Sequence, residues 1–228
     1  MQQRSVELRL KRLRTRIAAA TIVGATCFVA VSAELSPASA APAAAHSVTA
    51  RKAGDGLAAV AVQGLSQLRS YVRSGDPATW AAYQAIRTGI AVEIASRLAL
   101  DPTTLEAAWS EADVPHQIAL MAAFTQLGVP YHRNQSREGV GFDCSGLFSY
   151  AWGVAGTTLT RQSAAQIRAS APRDKDSAQA GDLVYYPGHS MMYLGVENAI
   201  VHAPYTGRNV EVDTIAHRRG VRFGDPTG

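Results

Sequence analysis

The sequence predicts an α+β fold, with helices first and an antiparallel sheet after. Three observations carry this. Apolar residues recur every three or four positions across much of the stretch from about residue 57 to 154; short apolar runs separated by turn residues follow from Leu183 to Val212; and the two patterns succeed one another instead of alternating. With 228 residues, 47% of them apolar and 18% charged, the chain suffices for one domain plus an appendage and is neither fibrous nor broadly disordered.

The first forty residues read as an export signal. A basic stretch to Arg16 precedes an apolar run from Ile17 to Val31, and Ala38-Ser39-Ala40 is a small-residue cleavage site. The competing reading is an uncleaved anchor, but the run interrupts itself with Thr21, Gly24 and Thr26 and falls short of the roughly twenty apolar residues a span needs. Contact with a membrane is therefore expected only in transit. Thr26 before Cys27 argues against a lipidation box. Residues 41–56, Ala-rich with Pro42, Gly54 and Gly56, are expected to form a flexible leader.

Residues 57–114 form a helical region. Asp76-Pro77 and Asp101-Pro102 each pair an N-cap with Pro at the first helical position. After the first, Trp80, Tyr83, Ile86, Ile90, Ile94 and Leu98 draw an amphipathic stripe; after the second, Leu105 and Trp109 mark a shorter helix. The stripe suits packing on the rest of the chain, and it would also suit a partner-binding or autoinhibitory element. Pro115 opens another helix through Leu120, Phe124 and Leu127, which Gly128 and Pro130 close. Residues 132–141 have no period and read as a loop. Next comes Phe142-Asp143-Cys144-Ser145-Gly146, then Leu147, Phe148, Ala151 and Val154 at helical spacing, which sets Cys144 at a helix N-terminus. A short helix near 163–169 leads through a polar loop with Pro172 and Arg173. The strands Leu183–Tyr186, Ser190–Leu194, Ala199–Ala203 and Val210–Val212 come last, as a meander.

The charge pattern excludes a nucleic-acid partner. Six of the 22 basic and two of the 18 acidic residues lie in the first forty positions, leaving sixteen of each in a formally neutral body. Removing the signal also removes Cys27 and leaves Cys144 as the one thiol, so an inert core thiol and a reactive nucleophile are the two readings. Its surroundings favour the second. Helix N–H groups and the dipole favour thiolate over thiol and could hold an oxyanion beside it. His189 and His202 fall on the meander where one can pair with the sulfur and the other orient it. His46, His116, His132 and His217 are framed by no motif and read as ordinary core or surface residues. No Cys/His cluster has zinc spacing, so neither a metal nor an organic cofactor is expected.

The stretch from about Ala119 to Asp213 resembles the NlpC-type, papain-like cysteine peptidases of bacterial cell walls. Six blocks in the family's order carry the resemblance: Gln126–Tyr131, Phe142–Leu147, Leu159–Ser163, Gly181–Tyr186, His189–Gly195 and Ile200–Pro204. It implies a papain-like NlpC fold, with helices packed on an antiparallel sheet, for residues 115–228, preceded by the helical extension. It implies Cys144 as nucleophile, His189 as general base and then acid, and His202 as the group that orients His189. Tyr131 would line the site, and Asp143 and Ser145 would shape a pocket for the substrate's free amino group. The substrate implied is a peptidoglycan stem peptide, cut at the amide between D-glutamate and a diamino acid by an exported, extracellular or wall-associated enzyme. A thiol acyltransferase or amidase on the same fold, or a non-catalytic wall-binding protein, are the alternatives, and residues 57–114 could contact the catalytic domain in a regulatory way. One block departs from the family: His132-Arg133-Asn134-Gln135 stands where a Trp-Gly-Gly-like turn is usual.

Overall fold

The computed structural model describes residues 55–228; the expected export signal and all but the end of the expected leader lie outside them. Asp55 accepts from the Leu57 N–H and caps α1 (Gly56–Ser74). The leader expected to run through Gly56 therefore overruns the helix start by a cap and one residue. Gly54 and Gly56 read as loop residues, but an Asp before an apolar period is the stronger signal. Asp76 caps α2 (Pro77–Leu98) and Asp101 caps α3 (Pro102–Glu111), each with Pro where a missing N–H costs nothing.

Of the α2 stripe, Tyr83, Ile90 and Ile94 are fully buried, and Trp80, Ile86 and Leu98 are partly buried against the same core. The stripe is thus covered within the chain. Polar links join these helices to the segments that follow, two of them through buried side chains of α2 and α3. Trp109 of α3 buries its ring and donates its indole N–H to the Leu194 carbonyl at 2.8 Å. Arg87 of α2 is buried with Glu106 of α3 at 2.8 Å and Gln117 at 3.0 Å. Gln117 belongs to α4 (Val114–Phe124), in which every residue from His116 to Phe124 is buried. No helix among the described residues is long and apolar enough to cross a membrane.

Between α4 and the nucleophile lies a small hairpin, β1 (Ser136–Arg137) with β2 (Gly141–Phe142), inside the segment read as loop. Two-residue strands are too short to carry an alternation, so sequence has nothing to show there. Next come α5 (Cys144–Val154), α6 (Ser163–Ala169) and β3 (Ala171–Arg173). The meander is built from β4 (Leu183–Tyr186), β5 (His189–Tyr193), β6 (Ala199–His202) and β7 (Glu211–Thr214), each within a residue or two of its expected span. β8 (Arg222–Asp225) then returns to the far side of β4, giving the antiparallel order β3-β8-β4-β5-β6-β7. The sequence does not announce β3 and β8, because Ala-Pro-Arg and Arg-Phe-Gly-Asp lack an apolar alternation; their pairing is long-range. The fold is α+β, helices on one antiparallel sheet.

Candidate active site

Cys144 is the first residue of α5, and its position follows from local chemistry. Asp143 is extended and caps the helix by accepting from the Gly146 N–H at 2.6 Å. Arg161 clamps the same carboxylate at 2.9 and 3.1 Å and reaches the Gln135 carbonyl. Gly146 is required by space: a Cβ there would stand 2.0 Å from the Gln135 carbonyl oxygen. The loop before the nucleophile is thereby pinned against the first turn of the helix.

The histidines come from neighbouring strands. The turn after Tyr186 passes through Gly188 at φ +88°, a conformation that favours glycine, and delivers His189 to the start of β5. The Cys144 thiol meets the Gly188 carbonyl, with Sγ to O at 4.0 Å. His189 Nε2 lies 2.9 Å from His202 Nδ1, the two rings nearly perpendicular, and both residues are buried. This bond uses one nitrogen of His189 and leaves its Nδ1 to serve as base. If Nδ1 is to accept a proton, Nε2 must carry one and donate it to His202 Nδ1, which fixes the His202 proton on Nε2.

Burial pushes the Cys144 thiol up, and the Asp143 charge adds to this, although backbone N–H groups at Ser190, Ser145 and Cys144 oppose it. Burial, the His202 ring and Arg218 together hold His189 down to about 3. The thiolate expected from the helix N-terminus is therefore corrected. In the resting site desolvation outweighs the dipole, and thiol and imidazole are both neutral.

A cleft of about 870 Å³ opens over the sulfur, lined by Tyr131, Asp143, Cys144 and Ser145 with Arg133, Arg161, Gly188 and Tyr205. All three expected pocket residues reach it. Burial raises the Tyr131 hydroxyl, and proximity to Cys144 and Asp143 raises it further. Asp143 is largely taken up by its cap, by Ser145 and by Arg161. A substrate ammonium would share that carboxylate with a guanidinium.

Three residues without an expected role emerge. Arg161 clamps Asp143. Buried Gln166 donates to the Ser145 carbonyl and accepts from the Ser190 hydroxyl, tying the cysteine's helix to the histidine's strand. Glu211 sits opposite His202 across β6 and β7. A lone Gln or a Glu in an alternating strand announces nothing in sequence.

Among the described residues, two groups have metal-ligating side-chain atoms within 4.8 Å of one another. In one, His116 Nε2 meets Asp182 at 3.0 Å, while Asp225 is taken by Arg173 and Thr227, so the donors are already paired inside the protein. The other is His202, Glu211 and Asp213, where Arg208 grips Glu211 through two nitrogens and Arg218 shares the cavity, an environment that disfavours a cation.

Residues 128–220 match the model of the NlpC/P60 family. The peptidoglycan endopeptidase RipA of Mycolicibacterium smegmatis is 30% identical over 115 residues, 43% of this chain and 23% of that protein. A gamma-D-glutamyl-L-lysine dipeptidyl-peptidase of Bacillus cereus is 35% identical over 94 residues, 38% of this chain and 28% of that protein. Among solved structures, the P60 domain of an antigen from M. avium subspecies paratuberculosis is 26% identical, with a TM-score of 0.44, covering 50% of this chain and 96% of that one. The chain thus spans about a quarter of the length of these two curated relatives. Over residues 128–220 this chain thus resembles the NlpC/P60 family.

Proposed function

We propose that this protein is an exported cysteine peptidase that hydrolyses the amide between D-glutamate and a diamino acid in peptidoglycan stem peptides. The observation that carries the reading is the hydrogen-bonded His189–His202 pair, which follows directly on the Gly188 carbonyl met by the thiol of Cys144, the first residue of α5, in an open cleft. The names of relatives that act on peptidoglycan or on gamma-D-glutamyl bonds support the substrate class.

The chemistry follows from the atoms. His189 Nδ1 takes the thiol proton as Sγ bonds to the amide carbon, and the carbonyl electrons move onto oxygen. Backbone N–H groups at the start of α5 hold that oxyanion. As the tetrahedral species collapses, His189 returns the proton to the leaving amine and the C–N bond breaks, leaving a thioester on Cys144. Water, deprotonated by His189, cleaves the thioester and restores the thiol. Starting from two neutral groups, the site forms its ion pair during attack; the imidazolium that appears then is supported by His202. No step calls for a metal or an organic cofactor.

Mass spectrometry of purified muropeptides incubated with residues 41–228 tests this. The expected products are fragments ending in D-glutamate and fragments beginning with the diamino acid. Cleavage at any other bond, or transfer of the acyl group to an added amine in preference to water, would replace the assignment.

A further inference from the structure

A second cavity of about 200 Å³ is bordered by His189, His202, Glu211, Asp213, Arg208 and Arg218. One atom in it stands out. His202 Nε2 is buried and makes no hydrogen bond, although an unpartnered buried polar atom is normally costly. Its nearest charged groups are the Glu211 carboxylate at 3.7 Å and the Asp213 carboxylate at 3.9 Å. Both distances are too long for a hydrogen bond and short enough for a strong charge interaction.

The surroundings are complete enough to assign a direction. His202 is faced by His189 from β5, by Glu211 and Asp213 from β7, by Arg208 from the turn before β7, and by Arg218 and His217 from the loop after it. Glu211 is His202's direct cross-strand partner and about a quarter of its side chain is exposed; Asp213 is half exposed, so its charge is better screened. Arg208 holds Glu211 through both carboxylate oxygens and spreads over the Tyr205 ring at 5.6 Å. Glu211 is thus a fixed charge.

We infer that Glu211 is a positioning residue: its carboxylate holds the His202 proton on Nε2, so that His202 Nδ1 accepts from His189 Nε2 and His189 Nδ1 is left bare to take the thiol proton. The inference rests on the reading of Cys144 and His189 as the reacting pair. The order is Arg208, Glu211, His202, His189, Cys144, and only the last two touch substrate. With the proton on His202 Nδ1 instead, His189 Nε2 would be the acceptor, and the proton on its Nδ1 would block the base. The same charge stabilises the imidazolium that forms when sulfur attacks. Burial raises the Glu211 carboxyl, but pairing with His202 and Arg208 outweighs this and keeps it ionised.

Thiol alkylation with iodoacetamide across pH tests this on the whole chain without needing the peptide substrate. Glu211→Gln keeps size and polarity and removes the charge. It should alkylate about three- to tenfold more slowly than the parent near neutral pH, and the two should converge above about pH 10, where the thiolate forms without help from histidine. Asp213→Asn should show less of the same effect. Slowing of Glu211→Gln by one factor at every pH would mark a merely structural role, and a profile matching the parent would leave Glu211 no role; either overturns the inference. His189→Asn separates the two levels. If the parent alkylates no faster than His189→Asn at neutral pH, the reacting pair itself is misassigned; if it alkylates faster while Glu211→Gln equals the parent, only the Glu211 inference fails.

Discussion

His189 Nε2 and His202 Nδ1 lie 2.9 Å apart between adjacent strands, two buried imidazoles sharing one proton. That bond makes the two histidines unequal: it takes up Nε2 of His189 and Nδ1 of His202, and the other nitrogen of His202 is buried facing the carboxylates of Glu211 and Asp213. An amide oxygen at position 202 can still accept the His189 N–H, whereas an amide at 189 cannot act as a base. His189→Asn should therefore lower kcat/KM on muropeptides by roughly 10²–10⁴-fold, and His202→Asn by about tenfold. Steady-state kinetics of the two variants checks the order; a worse loss at 202 would reverse the roles.

The burial of a neutral His189 has a cost in acid. Its unfolded-chain pKa is about 6.5, and burial, His202 and Arg218 bring the folded value to about 3. Between these values the unfolded state binds more protons, so stability falls as pH is lowered from about 6.5 toward 3. One such group contributes a slope of at most about 1.4 kcal/mol per pH unit. Urea unfolding at several pH values across that window should show a shallower acid slope for His189→Gln than for the parent; parallel slopes would mean that His189 is charged in the fold.

Gly146 faces a backbone atom, and backbone cannot swing aside. Gly146→Ala would place Cβ 2.0 Å from the Gln135 carbonyl oxygen, so the loop that carries Tyr131 to Asp143 must move off the helix. We expect a loss of about 1–3 kcal/mol of stability and of most activity. Thermal unfolding and muropeptide turnover measure the two effects. Parent-like values for both would show that the loop has room.

Trp109 binds the N-terminal helices to the sheet side of the core. Trp109→Ala removes a fully buried ring and its bond to the Leu194 carbonyl, and should cost about 3–5 kcal/mol. Chemical denaturation would read this as a lower midpoint with one cooperative transition. Two separated transitions would mean that the helices before Val114 fold as an independent unit.

The sequence makes some of this legible and hides the rest for physical reasons. Asp-Pro pairs and the stripe from Trp80 to Leu98 mark α2 and α3 because caps and a 3.6-residue period are local signals. The turn residues between Tyr186 and Val210 mark the meander for the same reason. β3 and β8 escape because their only reason to be strands is each other, about fifty residues apart. Cys144, His189 and His202 stand out because few chemistries use those residue types in that order. Gln166 and Glu211 do not, since a buried amide and a strand carboxylate gain meaning only from the atoms opposite them. The thiol's protonation is hidden for a related reason: the helix N-terminus is visible in sequence and the desolvation that overrides it is not.

The central claim is that Cys144 is the nucleophile of a peptidase, and one comparison tests it most directly. Purified muropeptides are incubated with the parent and with Cys144→Ala at equal concentration, product masses are followed over time, and matching thermal unfolding establishes that both are folded. The account predicts steady release of fragments split at the D-glutamyl–diamino acid amide by the parent and none by the variant. Cleavage of that bond by Cys144→Ala at the parent's rate would contradict it.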